Sequence, residues 1–238
     1  VLYITCEMAE EKIAERIDAN LLDVPIQTLS DPLFTRQKYQ NKIDVLNKKT
    51  QGKLVIKEYP TASANANHFK SLLNELSLKK GFKPHIIFVD YLNICASSRY
   101  KGNIVNSYTY VKSIAEELRG LAGEFNVPIV SATQTTRSGY GNSDVELTDT
   151  SESFGLPATA DIMFALISTE EMENLNQIMV KQLKNRYNDP TMNKRFVLGI
   201  DRAKMRLYDC DQAQQNIVDS GQEVVDMPIK KSFAELKV

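Results

Sequence analysis

The sequence predicts an α/β fold with a mostly parallel sheet flanked by helices, and three observations indicate it. Apolar runs alternate along the chain with amphipathic helical segments, an order typical of parallel strands joined by right-handed crossovers. The runs VLYIT, HIIFVDYL and VPIVSATQ are apolar at most positions, as in strands buried on both faces. Later runs such as QIMVKQL and RFVLGID follow each other with short connections, which predicts antiparallel hairpins at the C-terminal side.

Composition limits the class of protein. The 238 residues, 42% of them hydrophobic, suffice for one domain with a sizeable core. The net charge of -1 means that any nucleic-acid contact must come from local basic patches. Cys6, Cys95 and Cys210 lack the spacings of a zinc site or a disulfide framework, so we expect a reduced, cytoplasmic setting. No apolar run approaches the ~18 residues of a membrane span, so no membrane partner is expected.

The first half of the chain predicts two strand-helix units before the run that ends at Asp90. Residues 2–5 are predicted to form a buried strand, and because the sequence opens inside it without Met, we expect the chain to begin within a domain. Residues 7–22 and 35–49 are predicted helices. The strand KLVIKEY and an amphipathic helix over 65–80 follow, and Gly81 is the expected C-cap of that helix.

The second half predicts strands over 85–92 and 127–134, separated by a helix over 107–125. DIMFAL, QIMVKQL, RFVLGID and RLYD are the later strand candidates. The segment after them is acidic with little periodicity, so it is expected to be a mostly flexible tail with a short amphipathic end. We therefore expect one domain over 1–208 and a tail over 209–238.

Three predicted strands are followed by carboxylate or amide side chains, at the sheet edge where parallel α/β folds bind ligands. Asp90 ends the run HIIFVD, where a carboxylate can hold a hydrated Mg²⁺ beside nucleotide phosphates. An acid at this position can also simply cap the following turn. Glu7 is suited to orient and deprotonate a water molecule, and Gln134 to sense a terminal phosphate. Three such strand ends together favour the nucleotide-site interpretation.

Several stretches resemble the hexameric replicative DNA helicases of the DnaB type, which have a RecA-like core, and most closely their T-even-type bacteriophage members. The stretches occur in the family's order from residue 3 to about residue 200. They are YITCEMAEEKIAERIDANLLDV, SLLNELSLKKGFKPHIIFVDYLNIC, NSYTYVKSIAEELRGLAGEFNVPIVSATQ, SESFGLPATADIMFAL and MVKQLKNRY.

The resemblance implies a RecA-like P-loop NTPase fold that uses ATP and Mg²⁺. Glu7 then corresponds to the catalytic glutamate, Asp90 to the metal-binding Walker B aspartate and Gln134 to the phosphate-sensing glutamine. Lys184 and Arg186 match the family's K-x-R pair, which reaches into the ATP site of the neighbouring subunit. Judged without the resemblance, a solvated hairpin is the favoured interpretation for both cations.

The resemblance also implies DNA contacts from loops that face the central channel of the ring. One candidate loop contains Arg99 and Lys101. Arg137 lies in a separate segment that contains Gly and Ser. Two alternatives stay open for that segment: a contact with nucleotide or DNA, or a flexible loop without such a contact. The second candidate loop spans residues 150–155 and contains Ser151, Glu152, Ser153 and Phe154. Bacterial members usually carry arginine where this chain has Ser151, so this position lacks the cation for a direct ionic contact.

One family motif is missing from these residues. The phosphate-binding loop G-x-x-x-x-G-K-[ST] should precede the strand that contains Tyr3, and the sequence contains no such loop. Without its backbone amides and lysine, this polypeptide alone is expected to hydrolyse ATP poorly or not at all. We attribute the absence to truncation or to a split gene product. The resemblance implies further partners: single-stranded DNA, other copies in a ring that is expected to be a hexamer, a primase and a helicase loader. The expected location is the cytoplasm, which is that of the host cell if the chain is phage-encoded.

Two other functions stay open at this point. A RecA-like recombinase or regulatory ATPase would share Asp90, but it would not be expected to match both SESFGLPATAD and the K-x-R segment. A non-catalytic assembly partner or inhibitor is the third hypothesis, since the chain lacks the phosphate loop.

Overall fold

The computed structural model describes residues 1–100, 106–135, 145–147, 155–189 and 194–210, and places two four-stranded sheets among them. The strands are β1 (Leu2–Thr5), β2 (Val55–Glu58), β3 (Ile87–Asp90), β4 (Ile129–Ser131), β5 (Ile162–Ile167), β6 (Gln177–Asn185), β7 (Arg195–Asp201) and β8 (Arg206–Asp209). The helices are α1 (Glu10–Leu21), α2 (Ile26–Leu29), α3 (Arg36–Lys49), α4 (Ala66–Lys80), α5 (Ser107–Phe125), α6 (Gly155–Thr159) and α7 (Glu170–Asn174).

The first sheet is parallel and has the strand order β2-β1-β3-β4. The chain returns to the same end of the sheet through helices after β1, β2 and β3, as parallel pairing requires. The predicted α/β class with a parallel sheet and C-terminal antiparallel hairpins is therefore confirmed. In this sheet β1 lies between β2 and β3, so its short run LYIT has strand neighbours on both sides.

The main core lies between this sheet and helices α4 and α5. Its side chains are almost fully buried and come from the apolar runs that predicted the strands and from one face of each helix. They include Leu2, Ile4, Phe69, Leu73, Leu76, Ile87, Val89, Ile114, Leu118 and Leu121. Apolar burial on this scale is the dominant favourable term in folding.

The ends of α4 are fixed by local hydrogen bonds. The Asn65 side chain accepts from the backbone amides of Asn67 and His68, and the His68 ring accepts in return from the Asn65 amide. At the other end Gly81 adopts φ 58°, the left-handed conformation that glycine reaches at little strain. The predicted C-cap is confirmed, whereas His68 as part of the N-cap was not predicted.

The second sheet is antiparallel, with strands β5, β6, β7 and β8 in sequence order. One of its faces covers a smaller core formed by Val145, Ala165, Ile167, Met172 and Met179. Part of its other surface is uncovered among the described residues, because Phe164 and Leu166 of β5 are exposed.

The prediction that VPIVSATQ forms a fully buried strand is wrong for β4. Val130 is 45% exposed, because β4 has β3 as its single strand neighbour among the described residues. β5 likewise pairs there with β6 alone. β4 and β5 each therefore present an edge whose backbone groups lack a strand partner in this part of the chain.

Two of the cysteines, Cys6 and Cys95, lie close together in the main core although 89 residues separate them in sequence. Their sulfur atoms are 3.8 Å apart and both thiols are free. No helix in the described ranges has the length and apolarity that a membrane span needs. β8 ends at Asp209, and residues 211–238 lie outside the described ranges, so the predicted tail stays a prediction.

Two large apolar side chains of α4 provide a matched test of this core. Phe69 is 1% exposed and Leu78 is 86% exposed. Phe69→Ala is expected to lower the free energy of unfolding by about 3–5 kcal/mol, since it leaves a cavity in the core. Leu78→Ala should change it by less than about 0.5 kcal/mol. Urea denaturation followed by circular dichroism compares the two, and equal effects would contradict the packing described here.

Candidate functional site

The carboxyl edge of the parallel sheet brings the predicted strand-end residues to the same side of the molecule. Thr5 of β1 pairs with Asp90 of β3, so Glu7 lies two residues beyond that level. Val89 of β3 pairs with Ser131 of β4, and Gln134 follows Ser131 by three residues. All three predicted side chains therefore belong to the edge at which parallel sheets bind ligands.

Asp90 is held in place by neighbours on both sides. The Tyr3 hydroxyl donates a hydrogen bond of 2.7 Å to Asp90 Oδ2, and the Cys6 amide donates one of 2.8 Å to the Asp90 carbonyl. One residue earlier, the Ser131 hydroxyl donates to the Val89 carbonyl at 2.7 Å. Burial, and then the hydrogen bond to Asp90, raise the pKa of Tyr3 well above its usual value, so Tyr3 stays a donor.

Gln134 reaches the same edge from β4. Its side-chain amide donates a hydrogen bond of 3.2 Å to the hydroxyl of Tyr91, the residue that follows Asp90 through a cis peptide bond. The Gln134 side chain is exposed at this point. The Gln134 amide thus contacts Tyr91, the residue that directly follows Asp90.

Glu7 lies in a turn that the buried Thr5 side chain shapes. The Thr5 hydroxyl donates to the Met8 carbonyl at 2.8 Å and accepts from the Met8 amide at 3.0 Å, a local pattern typical of Ser and Thr at turns. The Thr61 hydroxyl donates to the Cys6 carbonyl at 2.8 Å. The backbone on both sides of Glu7 is therefore fixed, while its carboxylate is exposed to solvent.

The donor set at this edge fits a magnesium ion that arrives with a nucleotide. The described ranges contain no group of three or more His, Cys, Asp or Glu side chains placed to hold a metal by themselves. Magnesium in nucleotide sites is usually bound through one or two carboxylates, with substrate phosphates and water completing the shell. The Asp90 carboxylate is of this kind. The Tyr3 hydroxyl donates one hydrogen bond to its Oδ2 atom.

Lys184 lies on β6 of the antiparallel sheet, Arg186 follows that strand by one residue, and both contact the segment around α6. Lys184 Nζ donates a hydrogen bond of 2.6 Å to the Pro157 carbonyl. Arg186 NH1 lies 3.0 Å from Asp161 Oδ1, and the Arg186 amide donates to the Asp161 carbonyl at 3.0 Å. Both cations thus contact residues between Pro157 and Asp161 of the same chain.

Arg99 is the one predicted DNA-binding residue that the described ranges contain, and it is paired with an acid. Its NH1 lies 2.5 Å from Glu116 Oε2 on α5. The preceding loop is held by Glu117, which accepts from the Ser97 hydroxyl and the Ser98 amide. The remaining predicted DNA-binding residues, Lys101, Arg137, Ser151, Glu152, Ser153 and Phe154, lie outside the described residues.

Four residues of this region were not predicted from sequence: Tyr3, Tyr91, Arg119 and Asp161. The sequence signal that could have identified Tyr91 was its position directly after Asp90. Tyr3 requires the β1–β3 register, which pairs it with Phe88 two levels before Asp90. The contact between Arg119 and Asp161 joins residues 42 positions apart, beyond the reach of local patterns.

The sequence is similar to a known family and to known proteins over most of its length. Residues 1–197 match the family model described as the DnaB-like helicase C terminal domain. The chain is 47% identical over 213 residues to the DnaB-like replicative helicase of Enterobacteria phage T4, covering 89% of this chain and 45% of that protein. It is 28% identical over 192 residues to a probable plasmid replicative DNA helicase of Chlamydia psittaci, covering 78% and 40%. The chain thus spans less than half the length of these curated relatives.

Two solved structures share the fold. One is described as an ATPase domain, and it superposes with a TM-score of 0.72 at 19% identity, covering 89% of this chain and 75% of that chain. A DnaB-like replicative helicase, described together with its interactions with primase, superposes with a TM-score of 0.70 at 18% identity, covering 89% and 51%. At 18% and 19% sequence identity, the similarity to these two structures shows a common fold only.

The Tyr3–Asp90 pair makes part of the alkaline stability depend on the Tyr3 phenol. The pKa of Tyr3 is raised in the folded chain above the ordinary value of 10.0, so its stabilising contribution is fully present below pH 10.0 and is lost as pH rises through the folded value. Tyr3→Phe should remove this part of the alkaline loss of stability, and tyrosinate absorbance should show one late-ionising phenol fewer. Asp90→Asn should lower the pKa of Tyr3 only in part, because burial is the larger cause. A full return to the usual value would contradict this order of causes.

Proposed function

Because the chain belongs to the DnaB-like helicase C-terminal domain family, we propose that it is the motor part of an ATP-dependent replicative DNA helicase. The observation that carries this proposal is the common sheet edge of Glu7, Asp90 and Gln134. In such a motor, ATP hydrolysis drives movement along one DNA strand and thereby unwinds the duplex. The proposal extends to the whole protein the activity that the relatives' descriptions give.

Each strand-end residue has a distinct proposed role. Asp90 holds Mg²⁺ at the phosphates, with Tyr3 fixing the orientation of its carboxylate. Glu7, exposed beyond the turn, orients and deprotonates the attacking water. Gln134 senses the terminal phosphate, and its hydrogen bond to Tyr91 supports a link between this sensor and the Asp90 segment. When bound with ATP, the ion neutralises charge that develops on the transferred phosphoryl group.

We propose that the phosphate-binding loop comes from protein outside these 238 residues. The edges of β4 and β5 support this, since each of these strands has one strand neighbour among the described residues and Val130, Phe164 and Leu166 are exposed. Strands with apolar runs on both faces are normally buried in parallel sheets. A further strand with its helix would cover this surface, and this chain alone should not hydrolyse ATP at a useful rate.

Lys184 and Arg186 are proposed to act on the ATP bound to a neighbouring subunit. Arg186 is 49% exposed on its side chain, so its guanidinium group is accessible to a neighbour. A guanidinium supplied across a subunit interface stabilises transition-state charge and makes hydrolysis depend on assembly. The proposed assembly is therefore a ring, with a hexamer expected from the family resemblance.

The proposed partners follow from the same function. Single-stranded DNA would pass through the ring and contact Arg99 together with Lys101, Arg137 and residues 151–154, a sequence-independent mode of backbone binding. The pairing of Arg99 with Glu116 means that DNA has to compete with this carboxylate. A primase and a helicase loader are the protein partners expected for a replicative helicase, in the cytoplasm of the host cell.

A non-catalytic role as an assembly partner is the second candidate, and the lack of a phosphate-binding loop within these residues favours it. Mixing this chain with a fragment that carries such a loop separates the two candidates. Hydrolysis that appears in the mixture supports the motor. A well-folded mixture without hydrolysis supports the assembly role instead.

Glu7→Gln tests the proposed base in the complete helicase. We expect kcat for ATP hydrolysis to fall by about 10²-fold to 10⁴-fold, because an amide cannot accept the proton of water, while nucleotide binding persists. Glu11→Gln is the matched control, since Glu11 is an exposed acid in the first turn of α1. Equal kcat values for both variants would remove Glu7 from the proposed site.

Arg186→Ala tests the action between subunits, and strand displacement tests the helicase activity itself. Hydrolysis and unwinding by the complete helicase should fall by about 10³-fold or more. Rings mixed from Arg186→Ala and Glu7→Gln subunits should hydrolyse ATP faster than either variant alone, since some interfaces then combine an intact Glu7 with an intact Arg186. ATP hydrolysis without any strand displacement by the unmodified protein would instead favour a recombinase or regulatory ATPase.

A further inference from the structure

The acid Asp161 lies between two guanidinium groups, at the short connection between α6 and β5. Arg119 NH2 and Arg186 NH1 both approach its Oδ1 atom, at 2.9 Å and 3.0 Å. We propose that Asp161 is a positioning residue that sets the direction of the Arg186 guanidinium toward the neighbouring subunit, with Arg119 as its anchor. This inference rests on the proposed function of Arg186 and adds two residues to it.

Arg186 is fixed to Asp161 at two points. Its backbone amide donates to the Asp161 carbonyl at 3.0 Å, which continues the β5–β6 pairing by one step beyond Ile162 and Asn185. Its guanidinium bonds the carboxylate of the same residue at 3.0 Å. With the backbone and the head group both attached to Asp161, the flexible arginine side chain between them has few remaining directions.

Arg119 connects this carboxylate to the main core. It lies on α5, whose buried residues include Leu118 and Leu121. Its NH1 donates to the Thr159 carbonyl at 2.6 Å, and its NH2 bonds Asp161. A residue of the 19-residue helix α5 therefore holds both the end of α6 and the acid that contacts Arg186.

Lys184 is held by the same short segment. Its ammonium group donates to the Pro157 carbonyl at 2.6 Å. Residues 157–161 thus provide the contacts of both cations of the K-x-R pair and of Arg119. A shift of this segment would move both cations together.

The charge balance at Asp161 leaves Arg186 able to act. Two guanidinium groups share one carboxylate oxygen, so the cluster keeps a net positive charge. The hydrogen bond from Arg119, the largest favourable cause, lowers the pKa of Asp161, which keeps the carboxylate ionised. The three side chains are partly exposed, and exposed ion pairs contribute little to stability. Orientation is therefore the effect that this arrangement can provide.

The test uses the complete helicase with Asp161→Ala, the near-isosteric Asp161→Asn and the conservative Asp161→Glu. For Ala and Asn we expect kcat for DNA-stimulated ATP hydrolysis to fall by about 10-fold to 100-fold, with the KM for ATP within about twofold, because misdirected groups impair the transition state more than binding. Asp161→Glu should restore part of kcat. Glu75→Gln is the matched control, since Glu75 forms an exposed ion pair with Lys79 on α4 and should leave kcat unchanged.

Mixed rings show whether Asp161 acts through Arg186. Rings of Asp161→Asn and Glu7→Gln subunits should hydrolyse ATP faster than either variant alone, as proposed for Arg186→Ala, because the Asn subunit keeps its own Glu7. In the Arg186→Lys background, Asp161→Asn should lower kcat by less than it does in the unmodified protein. Thermal melting of each variant checks that it is folded, and Asp161→Asn carries the test if Asp161→Ala unfolds.

The outcomes of these experiments separate the two proposals. If Arg186→Ala leaves hydrolysis unchanged, the proposed role of Arg186 fails, and this inference fails with it. If Arg186→Ala abolishes hydrolysis while Asp161→Asn leaves kcat unchanged, only the positioning role is overturned. A loss of kcat in Asp161→Asn that mixing with Glu7→Gln subunits does not relieve would also overturn it, since Asp161 would then act within its own subunit.

Discussion

The parallel pairing of β1 with β3 is the constraint on which the candidate site depends. It sets Thr5 opposite Asp90, so Glu7 follows β1 two residues beyond the level of Asp90. The same register lets the Tyr3 hydroxyl reach Asp90, which ties the two strands together by their side chains as well as their backbones. A slip of one residue would turn the side chains of β1 to the opposite faces and separate these groups.

The sequence alone was sufficient to predict the helices and strands that depend on a local residue pattern. The helix predicted over 107–125 coincides with α5, because its apolar residues recur at helical spacing and Asn106 caps its start. The exposure of Val130 was not predictable, since it depends on which strands lie beside β4. Apolar runs report a tendency to be buried, whereas their actual burial depends on neighbours that the run does not encode.

For the candidate site, residue types at strand ends predicted Glu7, Asp90 and Gln134, and the family resemblance added Lys184 and Arg186 as predictions. The groups that contact these residues were not predictable from the sequence. Tyr3 reaches Asp90 only because of the sheet register, and Asp161 contacts Arg186 because β5 and β6 pair in an antiparallel arrangement. Chemistry-bearing residues are thus visible from their types, while supporting residues depend on tertiary pairing. Both kinds are needed for a rigid site.

Among the described residues β4 and β5 each have one strand neighbour, and these open edges also bear on how such a chain behaves during synthesis and purification. Rows of backbone amides and carbonyls beside exposed Val130, Phe164 and Leu166 form a template for pairing with other chains. Produced by itself, the polypeptide will tend to aggregate through these edges. Co-expression with a polypeptide that carries the proposed further strand would protect these edges before wrong pairings form, so solubility would then indicate correct assembly.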